Sequence, residues 1–129
     1  MSAIDITNTL IEKYNTATEF KAATAATSTT ADEAEVFKYT PTGKANKVVF
    51  GVAVGASNGA VKVKFTKSPG VFGGADLEIT AAEGKTTVVQ VEQGRFVQAD
   101  GSFEITLTPA TGKKLLTDHA ASIYAIETM

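Results

Sequence analysis

The stretch KVVFGVAV, residues 47–54, predicts a strand with two apolar faces. Successive residues of a strand point to opposite sides of a sheet, so the stretch divides into two sets. A strand that is apolar on both sides is typical of the middle of a sheet, where both faces are covered. One face carries Val48, Phe50, Val52 and Val54, and the other carries Val49, Gly51 and Ala53.

A strand with alternating polarity follows at residues 61–66. Valine and phenylalanine alternate there with lysine and threonine (VKVKFT), which indicates one buried and one solvated face. The Asn58-Gly59 pair before it predicts a hairpin turn, because both residues tolerate the positive φ angles that such turns need. Asp100-Gly101 predicts a second hairpin ahead of another alternating run at residues 102–107.

Short strands of this kind, separated by turn residues, recur along most of the chain. They predict an all-β fold, a single antiparallel β-sandwich of jelly-roll or related Greek-key type. The pattern does not fix the order of the strands, so an immunoglobulin-like order stays open. The predicted strands are residues 33–39, 47–54, 61–66, 75–80, 86–92, 95–98, 102–107 and 121–127.

The composition of the chain changes near residue 31, which suggests two parts. Residues 1–31 are expected to form an N-terminal arm, with a Thr/Ala-rich link over residues 16–31, and residues 32–129 the β-sandwich domain. The arm has one apolar stripe with spacing i, i+4, i+5, i+8, which also allows a short helix. The stripe consists of Ile6, Leu10, Ile11 and Tyr14.

Composition excludes several classes of function. The 129 residues contain no cysteine and one histidine, which leaves no disulfide framework and few ligands for zinc. A net charge of −2 does not attract nucleic acid or an anionic membrane. No apolar run approaches the roughly 20 residues of a membrane helix, and the first residues lack the pattern of a signal peptide. We therefore expect synthesis in the cytoplasm, with neither nucleic acid nor membrane as a partner.

One motif resembles a catalytic signature. Residues 55–59 match G-x-S-x-G, the serine-hydrolase elbow, and His119 lies downstream. The elbow requires a helix after the serine, whereas residues 61–66 predict a strand, so the turn interpretation of Asn58-Gly59 is favoured. The carboxylates are scattered over predicted turns and outward strand positions. We expect no enzymatic activity, no catalytic, cofactor-binding or metal-binding residue, and no cofactor.

Several pieces of the chain resemble head decoration proteins, the auxiliary capsid proteins of tailed phages and prophages. The similarity covers residues 34–127, whereas the first 30 residues depart from that domain. The pieces are short segments and include no catalytic signature: VFKYTP (36–41) followed by KVVF (47–50), ADLEIT (75–80), GKTTV (84–88) and EQGRF (92–96).

The resemblance implies a structural role in the virion. Such a protein is synthesised in the host cytoplasm, sits on the outer surface of the capsid and binds the major capsid protein, often as a homo-oligomer, with a trimer favoured. Phe72, an aromatic residue in a glycine-flanked loop, is a further candidate contact residue. The expected interface with the capsid or a neighbouring copy consists of Ile6, Leu10, Ile11, Tyr14 and Phe72.

Two other functions fit the same fold class. A phage tail or baseplate component is one of them, because the same folds occur there. A carbohydrate-binding module is the other, although the absence of tryptophan and the presence of only three tyrosines count against a row of sugar-stacking aromatics. Location within a purified particle distinguishes head from tail, and binding to a glycan array would favour the module.

Overall fold

The computed structural model describes residues 3–43, 47–70 and 74–128. Within them the chain forms ten strands and one helical turn, α1 (Gln93–Phe96). The strands are β1 (Ile4–Asp5), β2 (Asn8–Ile11), β3 (Thr24–Ala25), β4 (Glu35–Tyr39), β5 (Lys47–Ala53), β6 (Val61–Phe65), β7 (Leu77–Ala81), β8 (Thr86–Gln90), β9 (Phe103–Thr108) and β10 (Ser122–Thr128).

The strands form two sheets that pack face to face, which confirms the all-β sandwich. The first sheet has the order β1-β4-β9-β6-β7 and the second the order β2-β10-β5-β8, with β3 paired to β10. The expectation of purely antiparallel sheets is wrong at the N-terminus, where β1 pairs with β4 and β2 with β10 in parallel. Parallel partners need a long connection rather than a hairpin. The chain between β1 and β4, and between β2 and β10, provides it.

The core lies between the sheets and is centred on β5, as its two apolar faces predict. β5 has β10 on one side and β8 on the other. The ring of Phe50 is fully buried, with the Phe65 centroid 5.4 Å away, Phe103 at 5.5 Å and Tyr39 at 5.6 Å. These rings belong to strands of both sheets, so this aromatic cluster joins the two layers.

The two predicted hairpins have different outcomes. Asn58 and Gly59 both have positive φ, at 76° and 89°, yet they do not form a hairpin, because β5 and β6 belong to different sheets. Both sides of β5 are already occupied, so the turn leads the chain across to the first sheet. At Asp100-Gly101 a tight turn does form, with the Gly101 N–H donating to the Gln98 carbonyl at 2.9 Å.

The strand predicted over residues 95–98 is largely absent. Residues 93–96 form the helical turn α1, and only Val97 makes a bridge, to Phe103. Phe96 is buried, and its ring centroid lies 6.2 Å from that of Phe65. The single turn of helix places this ring against the core. In an extended backbone, by contrast, Arg95 and Val97 would point to the side opposite Phe96.

Residues 3–31, as far as the structure describes the N-terminal part, contain three short strands and no helix, so the short helix that the stripe allowed does not form. Open edges of β4 and β10 offer hydrogen-bond partners to the backbone, and a short helix on its own is marginal in water. Ile6, between β1 and β2, is only 7% exposed and belongs to the core. The strands β1, β2 and β3 are thus paired with strands of the segment predicted as the sandwich domain.

Two buried carboxylates fix chain segments to the sandwich. Glu35 accepts hydrogen bonds from the backbone N–H groups of Thr27 and Ser28. Glu127 accepts from the Tyr39 hydroxyl and from both the backbone N–H and the hydroxyl of Thr42. Burial, followed by the hydrogen bond to Glu127, raises the pKa of Tyr39 well above its usual range. Buried acceptors of this kind are tolerated because several donors face them.

Candidate interaction surface

The outer face of the first sheet is polar. Two exposed ion pairs lie here. Lys62 Nζ on β6 is 3.8 Å from Glu78 Oε1 on β7, and Lys38 Nζ on β4 is 3.0 Å from Asp100 Oδ2. The hydrogen bond to Asp100 raises the pKa of Lys38, whereas hydrogen bonds from Ser102 and Lys38 lower the pKa of Asp100. Exposed pairs of this type contribute little to stability, and they keep this face of the sandwich solvated.

The outer face of the second sheet is apolar at its centre. The register places Val88, Gly51 and Tyr124 side by side in one row across β8, β5 and β10. Val88 is 59% exposed, which is unusual for a large apolar side chain on a strand. In the next row Val49 lies beside Ile126.

Gly51 has a specific packing role on this face. A Cβ atom at this position would overlap the end of the Tyr124 ring, so the glycine allows the ring to lie directly against the strand. Phe20 then packs its edge on Tyr124, with the ring centroids 5.1 Å apart at an angle of 87°. The aromatic pair extends the apolar area from the sheet onto the segment between β2 and β3.

This segment, residues 12–23, is a loop that folds back on the second sheet. The Lys21 N–H donates to the Thr9 hydroxyl at 2.9 Å, and the Thr7 N–H donates to the Thr24 hydroxyl at 3.0 Å. Its two aromatic residues remain exposed, Tyr14 at 75% and Phe20 at 50%. We call the combined area the outer apolar face; it consists of Phe20, Val49, Val88, Tyr124 and Ile126, and Tyr14 lies on the same loop as Phe20.

The structure distributes the sequence-predicted contact residues over different environments. Tyr14 is exposed in the loop 12–23, whereas Ile6 is in the core and Leu10 and Ile11 are half-buried in β2. Phe72 lies outside the described residues. Sequence reasoning missed Phe20, Val88 and Tyr124, because they meet only through the register of three strands and the return of the loop. The signal available in the sequence was the pair Val88-Val89 in the run TTVVQ, because two successive valines in a strand point to opposite faces.

Substitution of Gly51 by alanine is expected to loosen this loop. The new methyl group displaces the Tyr124 ring, which removes the surface on which Phe20 packs. An aromatic pair contributes about 0.5–1.5 kcal/mol, so chymotrypsin should cleave after Phe20 roughly two- to tenfold faster. Tyr124→Ala should have the same effect. Ala53→Gly, on the same strand and face, is the control, and equal cleavage rates for G51A and the parent protein would contradict the packing role.

His119 and Ser57, the residues of the hydrolase motif, do not form a catalytic pair. Ser57 is exposed, and its hydroxyl accepts a hydrogen bond from the Asn58 amide at 3.3 Å. His119 is fully buried, and its Nε2 accepts a hydrogen bond from the Ala110 backbone N–H at 3.1 Å. Its Nδ1 has no hydrogen-bond partner in the part of the chain that the structure describes. Because Nε2 accepts a hydrogen bond, it carries no proton, and the imidazole is neutral. In this neutral form it links the loop before β10 to Ala110.

Stability is expected to fall on mild acidification because of this histidine. The pKa of His119 is lowered, chiefly by burial. The Asp118 carboxylate and the Gly59 backbone raise it by less, and Lys113 lowers it further. Below pH 6.5 the unfolded chain binds a proton that the native state excludes, so the free energy of unfolding decreases by up to about 1.4 kcal/mol per pH unit. Above pH 6.5 this contribution is fully present.

Urea unfolding between pH 5 and 7.5 measures this effect. His119→Gln should show a flatter pH profile over the same window, since glutamine has no proton to gain. An identical slope in both proteins would assign the pH dependence to other groups.

Within residues 3–43, 47–70 and 74–128, no group of three or more histidine or acidic side chains is arranged to hold a metal ion. Over the same ranges, no helix is long and apolar enough to cross a membrane. Comparison of the chain with protein-family models, with curated proteins and with solved structures found no match.

Proposed function

We propose that this protein is a structural protein of a phage virion, a capsid decoration protein that binds the outer surface of the head and stabilises it. The observation that carries the proposal is the contrast between the two outer faces of the sandwich. One face has exposed ion pairs, and the other has an exposed valine and the half-exposed ring of Phe20 packed on Tyr124. A protein that lies on a protein lattice needs one face for the lattice and one for water.

The outer apolar face is the proposed contact with the major capsid protein. Tyr14 and Phe20 project from the loop 12–23, and aromatic residues of this kind dominate the binding energy of many interfaces. Both side chains are exposed on a loop, so they can adjust to a partner surface when it binds. The polar face of the first sheet then points away from the capsid.

Stabilisation of the head follows from the number of copies. Each contact can be modest, because many copies that bridge neighbouring capsid subunits act together. A homo-oligomer, with a trimer favoured, presents several outer apolar faces at once and increases the effective concentration of each. The resemblance of residues 34–127 to head decoration proteins supports the same function.

Co-sedimentation with expanded capsids that lack the protein tests this proposal. We expect saturable binding at a number of copies set by the capsid lattice. Tyr14→Ser and Phe20→Ser should each weaken the binding roughly 30-fold, since a central aromatic contact contributes about 2 kcal/mol. Lys62→Ser, on the polar face, is the matched control and should bind normally.

Point substitutions are preferable here to deletion of residues 1–31. The deletion removes β1, β2, β3 and the core residue Ile6, so it would affect folding as well as binding. Absence of binding to heads, or binding unchanged by both aromatic substitutions, would contradict the proposal. Location of the protein in the tail of a purified particle would favour the tail or baseplate function instead.

A further inference from the structure

The strand β8 forms an open end of the second sheet. It pairs with β5 on one side, over the register from Ala53 opposite Thr86 to Val49 opposite Gln90. On its other side no strand pairs with it among the described residues. Alternate backbone N–H and C=O groups of such a strand point outward and can pair with another chain.

The other sheet ends are protected in ways that β8 is not. The edge strand β7 contains Glu78 and follows Asp76, both of them exposed charges, and β1 is only two residues long. At the opposite end of the second sheet, the loop 12–23 folds back on β2. In contrast, residues 86–91 (TTVVQV) contain no charge, no proline and no glycine, and Val88 is 59% exposed. An uncharged edge of this kind favours strand addition.

The charges at the two ends of β8 indicate which chain would pair with it. Lys85 precedes the uncharged run and Glu92 follows it, and both are exposed. In an antiparallel arrangement of two copies, Lys85 of each copy lies at the same end of the strand pair as Glu92 of the other, so opposite charges come near each other at both ends. A parallel arrangement would place like charges together at both ends.

We propose that β8 pairs antiparallel with β8 of a second copy of this chain. The two-fold axis passes through Val88, which lies opposite its counterpart, and Thr86 lies opposite Gln90. The second sheets of the two copies then become one continuous sheet with the order β2-β10-β5-β8-β8-β5-β10-β2. The contact buries the exposed Val88 side chains against each other and satisfies the open backbone groups.

This contact shares Val88 with the outer apolar face, but it is tested separately from the proposed capsid binding. Each copy has one β8, so the contact joins copies in pairs. If the copies also form trimers through another surface, the β8 contact links neighbouring trimers across a two-fold axis. Self-association in the absence of capsids tests it, whereas capsid binding tests the proposed function, so the two can fail separately.

Charge exchange is the decisive experiment. Sedimentation equilibrium of the full chain at low salt measures self-association. Lys85→Glu and Glu92→Lys should each weaken it about three- to tenfold, because like charges then lie near each other at both ends of the strand pair. The double variant should restore the parent affinity. An equimolar mixture of the two single variants should also associate normally, because each then finds opposite charges in the other.

A second pair of variants tests the strand itself. Val88→Lys should abolish self-association, since it places a charge at the centre of the pairing edge. Thr80→Lys, at an exposed position of the other edge strand β7, is the matched control and should have no effect. A chain that stays monomeric up to about 1 mM, or self-association that survives Val88→Lys, would overturn the proposal. So would a double charge variant that folds normally, by circular dichroism, and fails to recover.

Discussion

Replacement of Phe50 by alanine is expected to lower the free energy of unfolding by about 3–5 kcal/mol. The side chain is fully buried, and its ring packs against Tyr39, Phe65 and Phe103 at centroid distances of 5.4 to 5.6 Å. Removal of the ring leaves a cavity between the two sheets, and the paired backbones of β5 and its neighbours limit how far the cavity can close. Total stabilities are typically about 5–15 kcal/mol, so this is a large fraction.

Urea unfolding followed by circular dichroism measures the loss, together with a fall in the melting temperature of roughly 10–25 °C. Val49→Ala is the matched control, because Val49 lies on the same strand with its side chain on the outer face and is only partly buried. We expect it to lose about 1 kcal/mol or less. A loss below about 1.5 kcal/mol for Phe50→Ala would contradict the central position of this ring.

Replacement of Glu127 by alanine is expected to lower the free energy of unfolding by about 2–4 kcal/mol. Glu127 is fully buried on β10 and accepts hydrogen bonds from Tyr39 on β4 and from Thr42. The Tyr39 hydroxyl is buried with it, so the loss of the carboxylate leaves that donor without its partner. Thr42 is exposed and can turn to water, which reduces its share of the loss.

A double-mutant cycle assigns the effect to the contact between the sheets. Tyr39→Phe and Glu127→Gln each perturb the same hydrogen bond, so their losses should not add, with a coupling of about 1 kcal/mol. Thr128→Ala, next to Glu127 but on the outer side of β10, should change stability by less than about 0.5 kcal/mol. Additive losses for the first pair would show that Tyr39 and Glu127 act independently.

Much of the strand content follows from local alternation. Val61, Val63 and Phe65 are all buried, as their spacing predicts, and the same holds for the inward residues of β9. The two apolar faces of β5 likewise placed it inside a sheet. These features depend on a two-residue period, which is a property of any extended backbone and needs no knowledge of the neighbouring strand.

The outer apolar face was accessible only in part. Tyr14, on the adjoining loop, was among the predicted contact residues, but the residues of the face itself come from distant parts of the chain. Tyr124 packs on Gly51 because residues 51 and 124 are paired in the register of β5 and β10. Phe20 reaches Tyr124 because the loop returns over the sheet, and the Thr/Ala-rich sequence around it contains no periodic signal for that return.

The sequence by itself determined the all-β class, the inward and outward sides of the main strands and the exclusion of a disulfide framework. Only the tertiary structure decided the sheet to which each strand belongs. Asn58-Gly59 has positive φ angles, as a hairpin turn needs, and still connects two sheets, and Ile4–Asp5 and Asn8–Ile11 are strands despite a helical stripe. The physical reason is the same in both cases: the choice depends on which strand edges are free to accept backbone hydrogen bonds, and that is settled by residues far away in the chain.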